Sequence, residues 1–355
     1  MYPYNSLPAH AFWKEGVSNR SAIEITDIWN PKFPIAPADR IATYGSCFAQ
    51  HIGEALDKRG YNWFRAEAEI YGMSKPNLKK FGYNLFSSRT GNIYTTSQML
   101  QWTEWAKAPS KMPKEVWNRN GRFYDVIRPT LEPEGFASLE ELYTARKITC
   151  AAFEKSVKRS QVFIFTLGLT ERWLNNKLDF EYTLCPPPKE YDEDNHIFSS
   201  MSYGQVEDSL QQSIDNLRAM NPALKVILTV SPVPLVATAS GSHVLVATTH
   251  SKSLLRTVAG QASQKNDFVD YFPSYEIINN PAGRGHFFDE NLRTVNDLGV
   301  KNVMDSFFSA QETKFGQAPD KAKDGASPSN LSESQSNIDD LICEEEISYA
   351  FGAKE

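Results

Sequence analysis

Four short apolar runs, each followed by a helical pattern, constrain this chain more than any other feature in it. They are ADRIATYG, QVFIFTLG, KVILTVSPVP and DFVDYFP. Each has the length of a buried strand and ends in Gly, Ser or Pro. Strands that alternate with helices pack as an α/β domain with a mainly parallel sheet, and continuously apolar strands suit burial on both faces.

The helices are legible between them. CFAQHIGEALDKRGY places Phe48, Ile52, Ala55 and Leu56 on one face, with Gly60 as the stop. SSRTGNIYTTSQMLQWTEWA reads as a loop followed by a helix. FASLEELYTARKITCAAFEKSVKR is a helix with Ser138 as its cap and Glu141 completing a capping box. QVEDSLQQSIDNLRAMNP is a helix stopped at Asn221-Pro222. A further helix is predicted from near Ser251 through LLRTVAGQASQ, and TVNDLGVKNVMDSFF is the last.

The remainder divides the chain. Residues 1–38 read as an irregular N-terminal wrap, 39–310 as the α/β domain, and 311–355 as a disordered acidic tail. Within the tail, NIDDLICEEEISYAF reads either as a frayed end or as a short helix that docks a protein partner. Residues 61–135 are aromatic and loop-rich, and Leu178 to Tyr203, with its PPP, reads as an extended insertion.

Composition narrows the function classes. With 355 residues, 41% of them hydrophobic, the chain can bury a large core. A formal charge of −6 without a basic stripe argues against nucleic acid and against an anionic membrane surface. MYPYNSLPAHAFW lacks the basic start and apolar run of a signal peptide, and no segment is long enough to span a bilayer. A soluble cytoplasmic protein is the expectation. Cys47, Cys150, Cys185 and Cys343 are scattered, with neither metal spacing nor a disulfide framework, so no metal and free thiols are expected.

Ligands of open α/β sheets bind beyond the carboxyl ends of the strands. The first strand delivers Gly45, Ser46 and Cys47 there, and the second Gly168, Leu169, Thr170 and Glu171. The third delivers Ser231, Pro232 and the loop to His243, and the fourth Pro273 to Glu276, with His286 further on. Hydroxyls, a thiol, histidines and carboxylates at one edge suit nucleophilic acyl transfer. Ser46 reads as a nucleophile, as a helix N-cap, or as both. Cys47 sits where a helix N-terminus lowers a thiol pKa, and His51 shares its helix face; the pair reads as a thiol site or as a small buried residue beside a polar face.

GSCFAQHIGEAL resembles the motif that defines the GSCFA family, a branch related to the SGNH/GDSL hydrolases and esterases. The likeness continues through TGNIYT, FTLGLTERW, LTVSPVPLVAT, HVLVATTHSKSLLR and YFPSYEI, roughly Ala42 to Phe308. It implies a flavodoxin-like three-layer α/β/α sandwich with loop-rich insertions. It implies Ser46 as the nucleophile and Gly91 as a backbone donor to the oxyanion, with Asn92 and Gly168 as neighbouring binding positions. TLGLTE matches the third block loosely, with Thr170 and Glu171 where the superfamily places an Asn donor. The Asp-x-x-His block is replaced by Asn291-Leu292-Arg293-Thr294, which lacks both the base and its orienting acid. His243 and His286 are the candidate bases. Glu171 either orients the base or forms an ion pair with Arg172 or Arg256.

The expectation is therefore a serine esterase or O-acyltransferase acting on a small-molecule or carbohydrate ester. The Ser46 and Gly91 N–H groups, with Thr170, would hold the oxyanion. No cofactor is expected; acyl-coenzyme A stays open as a donor substrate, although no phosphate-binding glycine loop is present. The alternative is a degenerate member that keeps the fold as a binding or scaffold protein in polysaccharide metabolism.

Overall fold

The computed structural model describes residues 2–316. Residues 311–315, read as the start of a disordered tail, are instead the end of the last helix, where the buried Gln311 accepts from Ile35 N at 3.2 Å; the rest of the tail reading lies outside the described residues. In chain order, β1 (Ile41–Gly45) leads into α1 (Phe48–Lys58), followed by α2 (Lys75–Lys80) and α3 (Thr96–Lys107). A hairpin of β2 (Trp117–Arg119) and β3 (Arg122–Tyr124) precedes α4 (Leu139–Arg159) and β4 (Val162–Leu167). Next come β5 (Glu171–Asn175), β6 (Phe180–Tyr182), β7 (His196–Ser200), α5 (Tyr203–Met220) and β8 (Lys225–Val230). The chain then forms α6 (Val244–Lys265), β9 (Val269–Tyr271), α7 (Ser274–Asn279) and α8 (Asp297–Phe315).

All four apolar runs are strands of one parallel sheet, in the order β1-β4-β8-β9. Alternate side chains of these strands enter two cores, because successive residues of a strand face opposite ways. Tyr44, Phe163, Phe165, Leu228 and Tyr271 pack with residues of α3, α4, α5 and α6. Ile41, Val162, Ile164 and Ile227 pack with Phe48, Ile52 and Leu56 of α1, with α7 and with α8. The result is the expected three-layer α/β/α sandwich. The outer edge of β1 is closed by irregular chain: Phe64, Ser87 and Ile93 donate backbone N–H groups to Ile41, Thr43 and Gly45 at 2.8, 3.2 and 2.9 Å. Such cover satisfies the exposed ladder groups of an edge strand.

The N-terminal segment carries short 3₁₀ turns and one π turn before β1, and it sends Trp29, Phe33 and Ile35 into the second core. Lys32 N donates to Asp270 Oδ2 of β9 at 2.8 Å, which fixes that segment across the sheet's far end.

Three local expectations change. The insertion from Leu178 to Tyr203 contains β6 and β7, which pair antiparallel with β5 as a second sheet. α6 starts at Val244, seven residues before Ser251; its first two turns, rich in Val and Thr, lack a strong helical preference, and His243 is its N-cap rather than a loop residue. Ser138 caps α4 by accepting from Glu141 N at 3.1 Å, but the Glu141 carboxylate reaches Ala137 N at 2.8 Å instead of closing the box on Ser138. Among the described residues no helix is long and apolar enough to cross a membrane, and Cys47, Cys150 and Cys185 are in no disulfide.

Candidate active site

The turn from β1 to α1 is built on a close backbone approach. Gly45 has φ +135°, and a Cβ there would sit 2.3 Å from the Thr166 carbonyl oxygen of β4. Only glycine tolerates both the conformation and the contact. Ser46 N then donates to Thr166 O at 3.0 Å. This corrects one expectation: the Ser46 N–H is committed to the sheet and is not an oxyanion donor. The N-cap of α1 is Cys47, which makes no side-chain cap bond, and the Ser46 hydroxyl has no hydrogen-bond partner among the described residues. Ser46 is therefore no helix cap. It is only 3% exposed. An enclosed hydroxyl left without a partner costs about 1–3 kcal/mol.

The same sheet edge gathers the other candidates. Ile93 N on the Gly45 carbonyl lays TGNIYT alongside the turn. Gly91 has φ +68°, and its N–H is uncommitted among the described residues. Asn92 is buried next to it. Gly168 N and Leu169 N both donate to Tyr94 O, at 2.9 and 3.0 Å. A Cβ on Gly168 would lie 3.1 Å from Ser46 Cβ and 2.9 Å from Tyr94 O, so Gly168 is the point where the two segments meet. Thr170 N donates to Ser251 Oγ at 2.9 Å, while the Thr170 and Thr166 hydroxyls are buried without partners among the described residues. Three unpartnered hydroxyls thus belong to the end of β1 and to β4 and its exit.

Neither candidate histidine is hydrogen-bonded to this cluster. His243 is exposed, and its Nδ1 accepts from Leu245 N at 3.1 Å as the cap of α6. His286 is exposed, with Nδ1 3.0 Å from Gly283 O. Neither hydrogen-bonds Ser46. The replaced Asp-x-x-His stretch is a self-closed turn: Asn291 Oδ1 accepts from Arg293 N and Thr294 N at 2.8 and 2.9 Å, and Leu292 has φ +54°. On α1, burial pushes His51 down to about 4, and its Nε2 makes no hydrogen bond.

Glu171 forms neither of the ion pairs considered for it. Arg172 faces Glu181 at 3.8 Å, and Arg256 pairs with Glu276. Glu171 accepts from Thr238 Oγ1 at 2.6 Å; burial raises its carboxyl, an effect that this hydrogen bond and the nearby His250 oppose. The histidine beside Glu171 is therefore His250, which the sequence reading passed over.

It also passed over Lys252. This side chain is 2% exposed, and its Nζ donates to Gly168 O at 2.5 Å. Its signal lay within THSKSLLR, where Lys252 shares a helical stripe with Leu255 and Ala259, both buried. A lysine at a core position of an amphipathic helix is rare without a task.

Beyond the strand ends lies a cleft of about 510 Å³, walled by the second sheet on one side and residues 235–239 on the other. Leu169, Trp173, Tyr182, Phe198 and Leu235 give it an apolar and aromatic lining, with Glu171 and Arg172 as its charged groups. Ser46 is not on its wall, but Tyr94 and Leu169, which bracket Gly168, are.

No curated protein and no solved structure matches the chain. One family model does, and it covers residues 40–307, from the residue before β1 into α8. The matched span contains the glycine turn, the buried serine and every strand of the parallel sheet, and on that match the chain belongs to the GSCFA family.

Proposed function

We propose that the protein is a serine esterase or O-acyltransferase in which Ser46 is the nucleophile. The observation that carries this reading is the Ser46 hydroxyl, buried without a partner at the carboxyl end of β1. A polar group kept unpartnered in a folded protein calls for a reason, and waiting for a reacting partner is one. Ser46 attacks the acyl carbon. The Gly91 N–H, the Thr170 hydroxyl and Asn92 are the donors proposed for the oxyanion. The aromatic and apolar cleft, with its two charged groups, suits an acyl or glycosyl ester whose reactive end turns toward Gly168. Catalytic hydrogen bonds of a ligand-free site are often incomplete, so the lack of a bond from Ser46 to a base is compatible with activity.

A specific observation favours a second reading. Ser46 is enclosed, and the cleft wall does not include it. A member that only binds a carbohydrate in this cleft would need neither to change. Release of nitrophenol from p-nitrophenyl acetate by the wild type, Ser46→Ala, His243→Ala and His286→Ala separates the two. The enzyme reading expects wild-type turnover that falls at least about 100-fold in Ser46→Ala. Turnover that survives in Ser46→Ala removes Ser46 from the chemistry and leaves the binding reading.

A further inference from the structure

We propose that Arg172 anchors a carboxylate of the substrate, so that the cleft takes an ester bearing a separate anionic group; the inference rests on the cleft being the substrate site of the enzyme proposed above. Arg172 lines the cleft with its side chain 14% exposed, and its Nε is buried without a hydrogen-bond partner among the described residues. A guanidinium stays protonated whatever surrounds it, so an enclosed one calls for an anion. The carboxylate it faces is Glu181, but Nη1 is 3.8 Å from Oε2, beyond hydrogen-bonding reach. The two Glu181 oxygens already accept from Thr95 Oγ1 and Ser97 Oγ. Burial pushes the Glu181 carboxyl up to about 7, so near neutral pH it is an incomplete counter-charge.

Other polar side chains of the wall are bonded within the protein. Gln98 Oε1 accepts from Tyr94 N at 2.7 Å, and its Nε2 donates to Tyr182 O at 2.8 Å. Thr183 Oγ1 donates to Ile127 O at 2.7 Å, and Thr238 Oγ1 to Glu171 at 2.6 Å. Arg172 is the charged donor of the wall with bonding capacity left, and no hydrogen bond at Nε holds its guanidinium plane.

The anion that fits is a carboxylate rather than a phosphate. Arg172 is the one cation on the described wall, and it shares that wall with the acid Glu171, so a dianion would meet too little positive charge. A carboxylate carries one charge, and its two oxygens match the planar fork of a guanidinium. Trp173, Phe198 and Leu235 take the uncharged body of the ligand. Leu169 and Arg172 are three residues apart, at most about 11 Å along the backbone, so one short ligand reaches both the Gly168 end and the anchor. The anchored charge then decides which end of the substrate enters first, and an uncharged analogue forfeits the charge-assisted bonds.

The test is calorimetric titration of the wild type, Arg172→Gln and Arg172→Lys with 3-phenylpropionate, its uncharged amide and phenyl phosphate, each protein being checked for folding by circular dichroism. The wild type should bind the carboxylate at least about 10-fold more tightly than the amide. Arg172→Gln should erase that preference, and Arg172→Lys should keep only part of it, because an ammonium lacks the planar fork. An amide that binds the wild type as tightly as the carboxylate, or no binding of either, overturns the proposal, and neither result needs a variant to fold. So does a preference that survives in Arg172→Gln, or phenyl phosphate binding more tightly than the carboxylate. Labelling of the wild type by a fluorophosphonate, with the labelled residue located by mass spectrometry, reads the nucleophile separately. A wild type that prefers the carboxylate but labels at a residue other than Ser46 supports the anchor and overturns the Ser46 reading. Labelling at Ser46 without a carboxylate preference overturns the anchor alone.

Discussion

A methyl group on Gly45 would lie 2.3 Å from the carbonyl oxygen of Thr166, closer than any real Cβ contact. The same Thr166 carbonyl accepts the Ser46 N–H at 3.0 Å, so the glycine sets the depth at which the serine sits. Gly45→Ala should therefore act twice. It adds a clash with backbone and forces an L residue to φ +135°. A loss of about 3 kcal/mol or more in urea unfolding is expected, with Ser46 labelling reduced in whatever fraction stays folded. A variant as stable as the wild type would show that the β1–β4 approach is looser than the structure has it.

Ser46→Ala should do the opposite to stability. A serine that caps a helix costs about 1 kcal/mol when replaced by alanine. Here the hydroxyl is enclosed and bonds to nothing, so its removal deletes an unsatisfied group. The expected melting temperature is equal to or above that of the wild type. A clear drop would mean that the hydroxyl has a partner in solution, and the case for a poised nucleophile would weaken.

The strands were legible because a sheet covered on both faces demands unbroken apolar runs, and QVFIFTLG and KVILTVSPVP supply them. The position of Ser46 followed from the glycine that ends the first run. β5, β6 and β7 were not legible, since three to five residues are too few for a period to emerge, and their pairing is tertiary. Lys252 is the instructive case. His243 and His286 draw the eye by residue type and by nearness in sequence to the missing Asp-x-x-His. What the fold brings to Gly168 is the third turn of α6, and the bond that shows it is to a backbone carbonyl, which carries no mark in sequence.

Asp125 explains how the Gly91 loop is held. It is fully buried, receiving Arg128 Nε at 2.8 Å, Arg146 Nε at 2.9 Å and the Ile127 N–H at 3.1 Å. Burial alone would raise its carboxyl, but the Arg146 and Arg128 charges outweigh that and hold it below the usual range. Arg128 also donates to the Arg89 carbonyl at 3.3 Å, two residues before Gly91. Asp125→Asn leaves two buried guanidinium groups without their anion, and about 3–5 kcal/mol should be lost. The sign with pH follows from the lowered value. The contribution of Asp125 is present above the carboxyl's unfolded value near 3.8 and is lost as pH falls through the lower folded value. Wild-type stability should therefore fall away in acid more steeply than that of Asp125→Asn, as read by urea midpoints between pH 2 and 6. Parallel lines would take Asp125 out of the acid response.

Glu181 gives the reverse sign. It precedes Tyr182 of the cleft wall, is 3% exposed, and takes a hydrogen bond from Thr95 Oγ1 at 2.5 Å and another from Ser97 Oγ. Burial raises its carboxyl from 4.5 to about 7, against the pull of Ser97, Thr95 and Arg172. The folded state thus holds a proton that the unfolded chain releases near pH 4.5. The stabilisation that this proton provides is complete below the unfolded value and is lost as pH rises through about 7, above which an enclosed carboxylate must be tolerated. Glu181→Gln stays neutral throughout. Its melting temperature relative to the wild type should be lowest near pH 5 and should rise by several degrees toward pH 8. Because Arg172 lines the cleft and faces Glu181, the same titration should shift Arg172 between a neutral and an anionic neighbour. A difference in melting temperature that does not change between pH 5 and 8 would mean that Glu181 is ionised over the whole range, with Arg172 as its full counter-charge.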